Sequence, residues 1–198
     1  MDAKQSQEGR PEAITGNGGR LRLLLHCCCA PCASSVIERL VPYYSITMYF
    51  YNPNIAPPGE YRKRADEMHK LAAPFRQSGS VDVIICDYEP AVFAGIAAQY
   101  ADEPEGGTRC RECFALRLEE TAKQAEDSRY DCFATTLSVS PYKNAEAINE
   151  TGVAFAAKYS VDYLRSDFKK SDGYRRSVEL SKELGLYRQG YCGCKPEK

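Results

Sequence analysis

Hydrophobic residues along this chain come in short runs separated by amphipathic stretches. Leu21 to His26 (LRLLLH) is a nearly continuous apolar run, the pattern of a strand buried on both faces. Pro31 then suits the first turn of a helix running through Val36, Ile37 and Leu40. Ser45 to Tyr51 is a second strand by its β-branched and aromatic content, and Asn52 to Gly59 (NPNIAPPG) is a loop. Glu60 to Phe75 predicts a charged helix, Val81 to Cys86 a third strand, and Ala91 to Tyr100 a helix. After a loop over Asp102 to Arg109, Thr108 is the expected cap of a helix from about Cys110 to Glu126. Asp131 to Thr136 is a fourth strand, followed by a loop at Ser138 to Lys143 and a helix over Ala145 to Lys158. A short strand, Val161 to Leu164, a helix, Tyr174 to Leu184, and an irregular tail complete the series.

Strands alternating with helices predict an α/β fold, a parallel sheet with helices on both faces and right-handed crossovers. Ligands of such sheets bind beyond the carboxyl ends of the strands. The loops after the first and fourth strands are therefore expected at one edge.

Composition adds bounds. The chain has 198 residues, enough for one substantial domain, expected over 21–198 behind a flexible polar extension at 1–20. A hydrophobic content of 43% supports a real core, and a formal net charge of −1 does not by itself point to nucleic acid. No apolar run approaches the ~20 residues of a membrane helix, and the first twenty residues lack a signal-peptide core. The expected location is a reducing cytoplasm, where clustered cysteines favour metal binding or catalysis over structural disulfides.

Cysteine supplies the chemistry. Eight of the ten fall into three tight groups: Cys27, Cys28, Cys29 and Cys32; Cys110 and Cys113; Cys192 and Cys194. Several sulfurs converging on one point serve a metal centre or a thiol redox relay. The first group occupies a strand-to-helix turn, where backbone amides and the helix dipole favour thiolates. In the second, i, i+3 spacing in a helical turn puts both sulfurs on one face. Together these groups offer the four thiolates of a cubane iron–sulfur cluster or of a tetrahedral zinc. The third, C-G-C, closes a small strained ring when oxidised, which suits a redox switch that relays electrons to the metal centre; the plainer alternative, that Gly193 only lets the tail turn, is the less favoured.

Other candidates have plainer roles. Cys86 and Cys132 lie in strand patterns and read as core; His26 reads as a hydrogen-bonded core histidine and His69 as solvated. Basic clusters (Arg62-Lys63-Arg64, Arg109 with Arg111, Lys169-Lys170, Arg175-Arg176) would suit a phosphate backbone if they share a face. With no G-x-G-x-x-G and no Walker loop, a nucleotide cofactor is not expected.

The runs HCCCAPC, FYNPNIAPPGEYRKR, EPEGGTRCRECFALRLEETA, TTLSVSPYKN and SDFKKSDGYRRSVELSKELGLYRQGYCGC, in this order, resemble the QueH-type epoxyqueuosine reductases from Leu23 to Cys194. The resemblance implies a Rossmann-like fold similar to adenine-nucleotide α-hydrolases. It implies reduction of epoxyqueuosine to queuosine at the wobble position of tRNA anticodons, the last step of queuosine synthesis. It further implies a 4Fe-4S cluster on Cys28, Cys29, Cys110 and Cys113, and a redox-active pair, Cys192 and Cys194. An additional iron is implied close by; Cys32 stands where some relatives carry an aspartate held to bind that metal. Cys27 lies outside the family motif. The implied partners are tRNA carrying epoxyqueuosine and an electron donor, with no membrane. Tyr51, Tyr61 and Tyr142 are candidate stacking partners for an extruded base. Two other readings stand beside this one: a thioredoxin-like thiol–disulfide oxidoreductase built on Cys29-Ala-Pro-Cys32, and a zinc-stabilised nucleic-acid-binding module.

Overall fold

The computed structural model describes residues 19–75 and 77–194; most of the polar extension expected at 1–20 lies outside them. Five strands, β1 (Leu21–His26), β2 (Tyr44–Phe50), β3 (Val81–Ile85), β4 (Cys132–Thr135) and β5 (Asp162–Tyr163), form one sheet of order β3-β2-β1-β4-β5. Every pairing is parallel. This is a Rossmann-like arrangement, and the direction of winding reverses between β1 and β4. A crevice opens there beyond the carboxyl ends of the two strands.

The alternation of β1 explains the layers. Leu23 and Leu25 point to one face and pack with Val36, Ile37 and Leu40 of α1 (Ala30–Leu40) and Met68 and Leu71 of α2 (Pro58–Ala72). Leu24 points to the other, against Phe114 and Leu118 of α4 (Thr108–Asp127), Phe133 of β4 and Ile148 of α5 (Ala145–Tyr159). Each fully buried side chain of this size contributes about 1.5–3 kcal/mol. The short α3 (Pro90–Gln99) precedes α4, and α6 (Gly173–Glu183) returns to the first face against α1. There Arg176 reaches Glu38 in a forked pair at 2.8 and 2.9 Å.

Most element boundaries differ from the sequence reading by one or two residues; the helix expected to reach Phe75 ends at Ala72 and passes into a 3-10 turn over Ala73–Phe75. Two further differences are informative. Thr108 does not cap α4. Gly107 holds that position, and the Thr108 amide instead donates to the Glu103 carboxylate at 3.0 Å. The stretch after β4 is not all loop: Thr136–Val139 is a turn of 3-10 helix, begun by the Thr135 hydroxyl accepting from the Leu137 amide. No helix among the described residues is long and apolar enough to cross a membrane.

Candidate metal and thiol centre

The loop after β1 carries the first cysteines to the crevice. Cys27 continues the ladder, its amide donating to the Tyr49 carbonyl at 2.9 Å. Its thiol is fully buried and donates back to Leu25 O at 3.2 Å. Cys27 is therefore a core residue, and burial pushes its thiol well above the ordinary range.

Cys28, Cys29 and Cys32 behave differently. Cys29 is the extended N-cap of α1, Pro31 sits in that helix's first turn, and no side chain caps its end. The three sulfurs lie within 4.8 Å of one another, with Cys28 and Cys29 sulfurs 3.9 Å apart. A single tetrahedral ion with ~2.3 Å metal–sulfur bonds would place thiolates about 3.8 Å apart, so this donor set is compact enough for one ion. The Cys29 and Cys32 thiols donate to Cys28 and hold it well below its usual pKa, helped by Lys143 and the Thr136 hydroxyl. The same sharing pushes Cys29 up to about 11 and raises Cys32. Three sulfurs sharing protons in this way form a donor set from which a metal displaces protons as it binds.

The loop after β4 staples this turn. Thr136 Oγ1 accepts from the Cys28 amide at 3.3 Å and stands 3.6 Å from its sulfur. Beneath it, His26 bonds Thr135 Oγ1 at 2.9 Å and the Tyr51 carbonyl at 3.2 Å. Complete burial, with Arg117 second, lowers His26 to about pKa 3, so it is a neutral core histidine.

Cys110 and Cys113 lie in the first turns of α4. Cys110 Sγ accepts from the Gly106 amide at 3.3 Å, and Cys113 is buried. Among the described residues neither sulfur belongs to the compact trio. Both instead line a smaller pocket of about 110 Å³ with Cys192 and Cys194. The main cleft, about 420 Å³, is lined by Cys28, Cys29, Cys32 and Cys192. Arg117, Tyr142, Lys143 and Cys192 line both cavities, so the three thiol groups meet around one wall. Cys192 and Cys194 are unbonded, their sulfurs 3.6 Å apart. The Cys194 thiol donates to Cys192 and, with Lys143 and Arg117, lowers it to about 5, while Cys194 is raised.

Lys143 was not singled out from the sequence, nor was Arg117. Lys143 follows the fourth strand, at the edge where ligands are expected; Arg117 lies one turn beyond Cys113, with Nε donating to its carbonyl at 2.9 Å. Periodicity from Cys110 through Cys113 is the signal that could have found it. Of the three stacking candidates, Tyr51 and Tyr61 are buried, and Tyr61 donates to Cys86 O at 2.6 Å. Tyr142 is 78% exposed at the rim of both cavities. Several basic residues are tied to acids: Arg175 to Asp172, Arg176 to Glu38 and Glu183, and Lys169 to Asp167.

The profile of the family described as "Epoxyqueuosine reductase QueH" matches residues 23–196. The chain belongs to that family. It is 43% identical to the epoxyqueuosine reductase QueH of Streptococcus pyogenes serotype M1, over 88% of this chain and 69% of the relative. For the enzymes of the same name from Staphylococcus epidermidis and Thermotoga maritima, identities are 44% and 38%. Those matches cover 90% and 87% of this chain, and 76% and 88% of the relatives.

Proposed function

We propose that this QueH-family enzyme reduces epoxyqueuosine to queuosine at the wobble position of tRNA anticodons. The observation that supports it most is the meeting of three thiol groups at the winding-reversal point of the sheet, in a chain similar to reductases over most of its length. A thioredoxin-like reading leaves Cys28, Cys110 and Cys113 without a role. A zinc-staple reading leaves Cys192 and Cys194 without one.

Cys28, Cys29, Cys110 and Cys113 would hold a 4Fe-4S cluster, with Cys32 a ligand of a further iron beside it. The donor chemistry fits: half-buried or buried thiols, the Cys28 pKa held low by its neighbours, with Lys143 and Arg117 nearby to balance added negative charge. When bound, such a group supplies electrons one at a time and a Lewis acid for the epoxide oxygen.

Removing an epoxide oxygen to leave an alkene takes two electrons and two protons and releases water. Oxidation of the Cys192/Cys194 dithiol to a disulfide releases two electrons and two protons, which balances that step. The 3.6 Å sulfur separation allows a disulfide after a small rotation. The hydrogen bond from Cys194, with Lys143 and Arg117 behind it, holds Cys192 down at about 5. Tyr142, exposed at the rim, offers a face on which an extruded anticodon base can stack.

Anaerobic metal and sulfide analysis, combined with an assay on epoxyqueuosine-containing tRNA, tests this. The expected result is a brown protein with about four or more irons that yields queuosine. A colourless protein with one zinc or none, inactive on that tRNA, would contradict it.

A further inference from the structure

The run Asn52-Pro53-Asn54 reads in sequence only as a loop, yet it lines the main cleft beside the thiol trio. Asn52 and Asn54 are 1% and 5% exposed, and the Oδ1 atom of each is buried without a hydrogen-bond partner. The orientation of Asn52 is fixed, because its Nδ2 donates to Cys27 O at 2.9 Å, leaving the oxygen as the free atom. Arg64 is 4% exposed. Its Nε is held by Glu60 at 2.6 Å while Nη2 has no partner. Gln189, which also lines this cleft, has a buried and unpartnered Oε1.

Buried polar atoms are ordinarily satisfied, since each orphan forfeits its bonds to water. Here four orphans belong to residues that line one cleft: three carboxamide oxygens and one guanidinium nitrogen. Asn52 is bonded to the residue preceding Cys28, and Asn52, Asn54 and Arg64 line the same cleft as Cys28, Cys29 and Cys32. These groups therefore face whatever part of a ligand sits at the thiols.

We propose that Asn52, Asn54 and Arg64 bind the hydroxylated, epoxide-bearing carbocycle of the substrate nucleoside, the carboxamide oxygens accepting from its ring hydroxyls and Arg64 Nη2 donating to a ring oxygen. The proposal rests on the reductase reading for the identity of the ring. The matching is one of chemistry: vicinal hydroxyls supply donors to a wall that has acceptors to spare, and ring oxygens take the free guanidinium proton. The nucleobase, carried further from the reacting carbons, is left to the rim, where Tyr142 stands.

The test measures binding, not turnover. Metal-loaded protein without reductant is titrated with two tRNAs. One bears epoxyqueuosine, and the other carries the same base ending at its aminomethyl group, so that it lacks the carbocycle. Asn54→Ala is the informative variant, since Asn54 makes no side-chain hydrogen bond among the described residues and its truncation should leave thermal stability unchanged. Its expected effect is a roughly tenfold loss of affinity for the epoxide-bearing tRNA alone. Asn52→Ala should do the same with some loss of stability. An equal loss for both tRNAs, or no loss for either, overturns the proposal. Failure of the wild type to reduce epoxyqueuosine appears in the separate turnover assay, so the two readings fail independently.

Discussion

Single residues here owe their roles to which way a strand or loop turns them. Cys27 and Cys28 are adjacent, yet one thiol lies in the core and the other in the cleft, because Cys27 still follows the β-ladder while Cys28 has left it. Composition marks both as candidates; only the pleat separates them. Gly193 is needed for close approach: a Cβ there would lie 2.7 Å from Ile55 Cγ1 and 3.2 Å from Ile55 Cα, where Gly193 O also accepts from the Ala56 amide. Gly193→Ala should move Cys192 and Cys194 off their positions and lower turnover on epoxyqueuosine tRNA roughly tenfold, a change of about 1.4 kcal/mol. Ile55→Ala in the same background should restore part of it in the same assay. Cys132 lies away from the cleft and shows the cost of burying a thiol. Burial, with Asp131 and Asp162 adding, raises it to about 12, so the folded state keeps a proton that the unfolded chain releases near its ordinary pKa of 9.0. Its contribution is complete below pH ~9 and is lost as pH rises toward about 12, with a slope of up to ~1.4 kcal/mol per pH unit. Cys132→Ala should flatten urea-derived stability against pH in that window by up to one proton; an unchanged slope would contradict the assignment.

Elements were the most legible level, because long periodic segments announce themselves. LRLLLH matches β1 to the residue, and the alternation of strands and helices gives the wholly parallel sheet. What periodicity does not carry is a side chain competing for a terminus: Gly107 begins the helix that Thr108 was expected to cap, with Glu103 accepting from the Thr108 amide, and Thr135 opens a 3-10 turn where a loop was expected. Packing between elements is equally hidden. Gly152 sits on the face of α5 turned to β5, and a Cβ would stand 2.3–2.6 Å from the ring of Tyr163, itself packed on Phe133 at 5.0 Å between centroids. Gly152→Ala should gain up to ~1 kcal/mol of helix propensity and lose about 1–3 kcal/mol to overpacking. The net expectation is destabilisation by about 1–2 kcal/mol in urea unfolding with an unchanged m-value. A stabilised variant would show that the α5–β5 contact has slack.

At the scale of the whole molecule, the sheet order gathers chemistry from four distant stretches. The thiol loop leaves β1, Lys143 follows β4, Cys110, Cys113 and Arg117 enter on α4, and the tail brings Cys192 and Cys194 back to the same crevice. Clustered cysteines made the thiols legible in the sequence. The cations and amides between them were not, since Arg117, Lys143, Asn52 and Asn54 acquire meaning only through what they face. The tail is held against α2 by the Tyr187 amide on Glu67 at 2.8 Å and its hydroxyl on Glu60 at 3.2 Å. That anchorage is independent of the cysteine sulfurs, so Cys192→Ser/Cys194→Ser should preserve the fold. Under the reading above, Cys28, Cys29, Cys110 and Cys113 keep the iron and sulfide content at the wild-type level in this variant. Electron supply should fail instead. With a dithiol reductant the wild type should turn over repeatedly, whereas the variant should stall, because no thiol pair remains to accept the reductant's electrons by exchange. A strong one-electron donor, which bypasses the pair, should recover part of the activity. Full multiple turnover in the variant under thiol reductant would remove Cys192 and Cys194 from the electron path and leave them a structural closure of the cleft.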